Sequence, residues 1–148
     1  SSLSIILSTL YGNTAIASGG ALQHDSTESL LVSSSVLWEN TAAGQPSQLG
    51  QDPAAFPATV TYSDVQDGGF EGAIGNLDAD PRFVNTGAAT LDLRLQDGSP
   101  CIDAGSATGV FDLIDVDEDG NRTELLPEDL AGSDRVRGTA ADMGAFEH

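Results

Sequence analysis

The stretch Leu10-Tyr11-Gly12-Asn13-Thr14-Ala15 recurs 27 residues later as Leu37-Trp38-Glu39-Asn40-Thr41-Ala42. The same offset places Gly20-Ala21-Leu22 beside Ser47-Gln48-Leu49. Residues 60–65 form a looser third copy, which aligns approximately with residues 32–37. A fixed period of this length is typical of repeat proteins, in which each unit buries its apolar face against the next.

The segments within each copy have the pattern of short β-strands. Residues 4–8, 30–32 and 36–38 are short apolar runs, and residues 91–96 alternate strictly between apolar and polar side chains. Alternation with a period of two indicates a half-buried strand, whereas the helical period of 3.6 is weak throughout. We therefore predict an all-β fold, a parallel β-helix solenoid whose coils have about 27 residues.

Two asparagines, Asn13 and Asn40, occupy the same position in successive copies. Stacked Asn amides can hydrogen-bond from one coil to the next, so we assign them a structural role. The regular repeat is expected to end near Leu95. A solenoid needs its open end covered, so residues 1–96 are predicted to form the coils and residues 97–148 an acidic, loop-rich C-terminal cap packed on the last coil.

The composition excludes some classes of partner. The 148 residues include 23 acidic and 5 basic ones, giving a net charge of −18, and all five basic residues are Arg. Nucleic acids bind clustered Lys or Arg, so they are not expected partners, and an anionic membrane surface is disfavoured for the same reason. No apolar run approaches the roughly 18 residues of a membrane span. The single cysteine, Cys101, is expected to be a small buried apolar residue.

Several motifs resemble a known group of proteins. Residues 11–15 followed by 19–22 resemble repeats of right-handed parallel β-helix surface proteins, including polymorphic outer-membrane proteins. Residues 75–83, 95–105 and 142–147, in that order, are similar to the C-terminal part of the choice-of-anchor Q group of bacterial extracellular proteins. The resemblance implies a right-handed β-helix, export, and attachment of a longer protein to the cell surface. It implies no particular reaction.

An acidic stretch near the C-terminus has the pattern of a calcium loop. Asp at loop positions 1, 3 and 5 followed by Gly at position 6 lets alternate carboxylates converge on one hard cation. Leu126 stands where such loops usually carry a bidentate Glu, so another acid would have to close the shell, and a solvated acidic loop is the alternative. The predicted Ca²⁺ ligands are Asp115, Asp117, Asp119, Asn121 and Glu124.

Two further groups of residues suggest carbohydrate. Tyr11 and Trp38 share a repeat position and could form a sugar-binding platform, or could stack within the core. Asp78 and Asp80 have the spacing of a carboxylate pair on a strand, although a structural bridge between an Asp and Arg82 explains them more simply.

These observations leave three functional hypotheses. The first is a non-catalytic structural or adhesive module of a secreted or surface-anchored bacterial protein, which contacts polysaccharide or other cell-surface molecules. The second is the C-terminal part of a β-helix polysaccharide lyase or glycosidase, and the third is a carbohydrate-binding module. An open coil edge at residues 4–10 would also favour self-association.

Overall fold

The computed structural model describes residues 2–70, 74–106, 120–124 and 128–148. Over these residues the chain forms short β-strands and no α-helix, which confirms the predicted all-β class. The strands are β1 Ser2–Ile6, β2 Thr9–Tyr11, β3 Thr14–Ala15, β4 Leu22–His24, β5 Ser29–Ser33, β6 Val36–Trp38, β7 Thr41–Ala42, β8 Gln45–Pro46, β9 Leu49–Gln51, β10 Thr59–Thr61, β11 Asp64–Val65, β12 Phe83–Asn85 and β13 Asp92–Leu95.

The described strands form five small, separate sheets, with the orders β1-β5-β10, β2-β6-β11, β3-β7-β8, β4-β9 and β12-β13. Strands from successive sequence copies pair in parallel. Leu10 lies beside Leu37 and Leu22 beside Leu49, so the register of these pairs equals the 27-residue period of the sequence. The third copy pairs one residue out of step, with Val60 beside Val32.

At the bend that follows β1, β5 and β10, a ladder of small polar side chains connects each copy of the repeat to the next. The amide of Ser8 donates to Oγ of Ser35 at 3.2 Å, and the amide of Ser35 donates to Oγ of Ser63 at 3.2 Å. The amide of Ser63 in turn donates to Oδ1 of Asn76 at 3.0 Å. The bend lies between strands, so side chains supply acceptors that no neighbouring strand provides there.

The predicted pairing of Asn13 with Asn40 is confirmed. Asn40 is fully buried, and its Oδ1 accepts hydrogen bonds from the amide and from Nδ2 of Asn13, both at 2.9 Å. Its Nδ2 donates to the carbonyl of Leu10 at 2.8 Å and to Oε1 of Gln48 at 2.7 Å. One buried amide therefore satisfies polar groups of two successive copies.

Two apolar clusters lie on opposite sides of the β2-β6-β11 sheet, because alternate residues of a strand face opposite ways. In β6, Leu37 belongs to the first cluster and Val36 to the second. The buried members of the first are Leu30, Val32, Leu37, Val60 and Val65. Those of the second are Val36, Phe83, Leu95, Cys101 and Met143. We call the side of the sheet that bears the second cluster its outer face.

The chain after residue 77 returns along the outer face. Parallel pairing reaches a single bridge between Asp64 and Leu77, which comes before the expected end at Leu95. Strands β12 and β13 then pair antiparallel with each other. Further on, the amide of Gly144 donates to the carbonyl of Ser34 at 2.9 Å. The division into residues 1–96 and 97–148 stays a prediction.

One buried arginine ties the end of the chain to its beginning. Nη2 of Arg135 donates to the carbonyl of Leu7 at 3.2 Å and to that of Gly144 at 2.6 Å. Its Nε lies 3.8 Å from the carboxylate of Glu147.

The described residues contain no helix that could cross a membrane.

Candidate functional site

The outer face carries two aromatic side chains from the repeat. Tyr11 and Trp38 are neighbours in the register of β2 and β6, and both are half-buried. Phe83 of β12 packs onto Tyr11 with ring centres 5.5 Å apart and planes at 87°, which is an edge-to-face contact. The β12–β13 hairpin therefore lies over Tyr11. The interpretation of Tyr11 and Trp38 as sugar contacts stays a prediction.

A pocket of about 290 Å³ lies beside Trp38, between the bend that follows β6 and the chain from residue 80 to 86. Its size is close to the lower end of small-molecule sites, roughly 300–1,000 Å³. The lining residues are Trp38, Glu39, Asp80, Arg82, Phe83, Thr86 and Gln96. We call this the Trp38 pocket.

The first wall of the Trp38 pocket is held by Glu39. Its amide donates to Oε1 of Gln66 at 2.7 Å, and its carboxylate accepts a hydrogen bond from the hydroxyl of Tyr11. Burial and the hydrogen bond to Glu39 raise the pKa of Tyr11. Tyr11 therefore remains a neutral donor at physiological pH, and it fixes the direction of the Glu39 carboxylate.

The opposite wall is held by Arg82, which has the left-handed backbone angle φ +53°. Its amide donates to Oδ1 of Asp80 at 2.9 Å, and its Nη1 donates to the carbonyl of Gly98 at 3.0 Å. The amide of Gln96 donates to the Arg82 carbonyl at 2.9 Å, and Nε2 of Gln96 donates to the Phe83 carbonyl at 2.7 Å. A non-glycine residue in this region costs about 1–3 kcal/mol, so the surrounding bonds hold it there.

The Trp38 pocket combines three kinds of chemistry. The carboxylates of Glu39 and Asp80 accept hydrogen bonds, whereas the guanidinium of Arg82 donates them. Thr86 can do both, and the indole of Trp38 offers an apolar surface. Such a set suits a small ligand that has polar groups of both kinds as well as an apolar face.

A buried acid and thiol lie elsewhere on the same outer face. Asp64 is fully buried, and its Oδ1 accepts from the amide of Ala79 at 3.1 Å. The thiol of Cys101 donates to Oδ2 of Asp64 at 3.2 Å. Burial raises the pKa of Asp64 to about 6 and also raises the pKa of Cys101. The predicted burial of Cys101 is thus confirmed, and its thiol is a structural donor.

The three C-terminal motifs meet near this buried pair. Leu77 bridges to Asp64, Cys101 donates to Asp64, and the amide of Met143 donates to the carbonyl of Cys101 at 2.9 Å. The amide of Asp103 also donates to Oδ1 of Asp142 at 2.7 Å. Within the described residues, these motifs therefore have packing roles on the outer face.

The predicted calcium loop lies largely outside the described residues. Three of its five predicted ligands, Asp115, Asp117 and Asp119, fall there. Of the other two predicted ligands, Nδ2 of Asn121 donates to Oε2 of Glu124 at 3.0 Å. In the part of the chain that is described, no three acidic, His or Cys side chains are grouped as a metal site. The Ca²⁺ site stays a prediction.

Most of the Trp38 pocket was not foreseen from the sequence. The sequence predicts Trp38 as a sugar contact and a structural bridge between Arg82 and one of Asp78 and Asp80, but it does not single out Glu39, Thr86 or Gln96. The one signal in the sequence is that both ends of the segment 80–96 carry polar residues. Their presence does not reveal where that segment packs.

Comparisons with protein-family models, with curated proteins and with solved structures give no match to this chain.

Proposed function

We propose that this chain forms the coils of a right-handed parallel β-helix and serves as a non-catalytic structural and adhesive module of a secreted or surface-anchored bacterial protein. The observation that carries the proposal is the parallel pairing of successive copies at the period of the sequence, as in Tyr11 beside Trp38 and Thr14 beside Thr41. Stacking of this kind extends one surface over many repeats, which suits a spacer or a binding surface.

The polar ladders support this architecture. Asn13 and Asn40, and likewise Ser8 and Ser35, join positions 27 residues apart through side-chain hydrogen bonds. Each unit therefore depends on its neighbour for its polar contacts as well as for its core. The acidic surface, with a net charge of −18, favours neutral or cation-bridged cell-surface partners over polyanions.

Self-association is part of the proposal. In the described sheets β1 pairs only with β5, and β4 only with β9, so neither has a second partner strand among the described residues. An unpaired strand edge can accept a strand of another chain. A depression of about 450 Å³ lies beside β1, between residues 6–9 and the C-terminal residues 128–130, Arg135 and Ala145. Analytical ultracentrifugation over a range of concentrations tests whether that edge pairs in solution.

Carbohydrate binding is the second candidate function, and the Trp38 pocket is the observation that favours it. A glycan array probed with the purified chain, run beside assays for new reducing ends and unsaturated products, separates the candidates. We expect retention of some glycans without turnover. Turnover that Asp80→Asn abolishes would overturn the non-catalytic proposal in favour of the lyase or glycosidase hypothesis.

A further inference from the structure

We propose that the Trp38 pocket binds a single neutral pyranose ring at the end of a glycan chain. This inference rests on the carbohydrate binding proposed above, by which the module would adhere to glycans, and assigns it to one place. The pocket is bordered by parts of the chain far apart in sequence, the bend at Glu39, the chain from Asp80 to Thr86, and Gln96. Its volume of about 290 Å³ favours one small polar ring over several units of a polymer.

The charges that line the pocket select a neutral ligand. Glu39 and Asp80 would repel an anion, and the net charge of −18 strengthens that repulsion at longer range. Arg82 on the same wall offsets one of the two carboxylates, and its guanidinium donors need an acceptor that a simple cation lacks. A sugar hydroxyl donates to a carboxylate and accepts from a guanidinium, so a polyol can satisfy both signs of group at once.

The aromatic side chain supplies the remaining contact. Trp38 is half-buried and lines the pocket, whereas Tyr11 is engaged edge-to-face by Phe83. One indole can cover the C–H face of one ring, but Tyr11 and Trp38 together cannot receive the flat side of an extended chain. The geometry therefore assigns terminal-ring recognition in place of the open platform that the sequence suggested.

The polar groups of the pocket are held in place before any ligand arrives. Tyr11 orients the Glu39 carboxylate, the amide of Arg82 holds Oδ1 of Asp80, and Nε2 of Gln96 is fixed by the Phe83 carbonyl. Binding a rigid ring then costs little ordering of side chains. A single ring with a few hydrogen bonds is expected to bind with a Kd of about 1 mM.

Trp38 is the only tryptophan of the chain, so its fluorescence reports on this pocket alone. The experiment titrates the full chain with methyl α- and β-glucoside, galactoside, mannoside and N-acetylglucosaminide. We expect a saturable change in emission for at least one of them. A matched set of methyl uronates and tetramethylammonium chloride provides the charged probes, for which we expect no saturable change.

Two variants and one control locate the site. Asp80→Asn keeps the acceptor for the Arg82 amide but removes the carboxylate charge, and Thr86→Val removes a hydroxyl at nearly constant volume; each is expected to weaken binding at least about fivefold. Asp25→Asn makes the same charge change at an exposed residue outside the pocket and should leave Kd unchanged. Thermal unfolding midpoints confirm that the variants are folded.

Three outcomes would overturn the assignment. The first is an unchanged Trp38 emission for all neutral sugars up to about 50 mM, where a site with a Kd of about 1 mM is nearly saturated. The second is a response to the charged probes alone, and the third is binding that neither variant weakens. If glycans on the array are still retained in any of these cases, the adhesive function stands and only its location in this pocket falls. Turnover on the array would instead overturn the proposed function.

Discussion

At the scale of single residues, the buried side chain of Asn40 has hydrogen-bond partners in two successive copies of the repeat. This side chain is out of contact with water, and it accepts from Asn13 and donates to Leu10 and Gln48. Truncating it strands several buried groups, and each such group costs about 1–3 kcal/mol. We expect Asn40→Ala to lower the free energy of unfolding by about 2–4 kcal/mol.

Asn13→Ala is the matched control for that substitution, because Asn13 is the exposed partner of the same pair. When the Asn13 side chain is removed, water can replace its amide, so the free energy of unfolding is expected to fall by less than about 1 kcal/mol. Urea unfolding followed by circular dichroism measures both. Equal losses for the two variants would contradict a ladder centred on Asn40.

Asp64 gives a second prediction at this scale. Burial raises its pKa from 3.8 to about 6, so the unfolded chain releases this proton at a lower pH than the folded chain does. As the pH rises from about 4 to 6, the folded state must therefore lose stability relative to the unfolded state. Asp64→Asn removes the titration, and we expect its free energy of unfolding to gain on that of the wild type across this window.

The expected gain is at most about 3 kcal/mol, because one pKa unit corresponds to about 1.4 kcal/mol. The measurement is urea unfolding of both proteins at several pH values. Burial also raises the pKa of Glu147, to about 7, and that of Asp142, but both groups are present in the two proteins and their contributions cancel in the difference. Parallel pH profiles would show that Asp64 does not titrate as described.

At the scale of elements, the strand predictions from local pattern were close. Residues 36–38 were predicted and are β6, and the alternating run at 91–96 contains β13, Asp92–Leu95. The pattern does not reveal the partner of a strand, since a half-buried strand looks the same in a parallel stack and in a hairpin. β13 in fact pairs antiparallel with β12.

The β12–β13 hairpin is expected to depend on Phe83, which is buried on the outer face and packs against Tyr11. Truncating a buried Phe typically costs about 3–5 kcal/mol. We expect Phe83→Ala to fall in that range and to shift the emission of Trp38 to longer wavelength as the pocket opens. Chemical unfolding and fluorescence together measure the two effects.

Val84→Ala is the control on the same strand, because Val84 points away from the sheet and is exposed. It is expected to change stability by less than about 1 kcal/mol and to leave the Trp38 emission as it is. If Phe83→Ala behaved in the same way, the hairpin would not be anchored where the structure places it.

At the scale of the whole molecule, the charge imbalance makes stability depend on ions. With a net charge of −18, acidic groups repel one another across the folded surface. If the predicted loop binds Ca²⁺, the folded state gains about 2.7 kcal/mol when free Ca²⁺ is 100 times its Kd. For a chain of this size that corresponds to a rise of roughly 5–10 °C in Tm.

Differential scanning calorimetry in Ca²⁺ and in EDTA measures this rise. Asp117→Ala, in the predicted loop, is expected to abolish it, whereas Asp25→Ala changes the charge equally elsewhere and should preserve it. A rise of equal size with Mg²⁺, or one that survives Asp117→Ala, would point to general screening of the acidic surface in place of a specific site.

The sequence by itself determined the β class, the 27-residue register and the pairing of Asn13 with Asn40. These features depend on local patterns that recur along the chain, and parallel stacking in register follows when identical faces must be buried against each other. The same local information predicted that residues 91–96 contain a strand and that Cys101 is buried.

Only the tertiary structure decided where the chain goes after Leu77. The return along the outer face brings Trp38 beside Arg82 and Gln96, and Asp64 against Cys101. The segment that returns does not repeat, so no period marks its partners. Its position is decided by the burial of outer-face side chains and by single hydrogen bonds between distant residues, which depend on the complete three-dimensional packing.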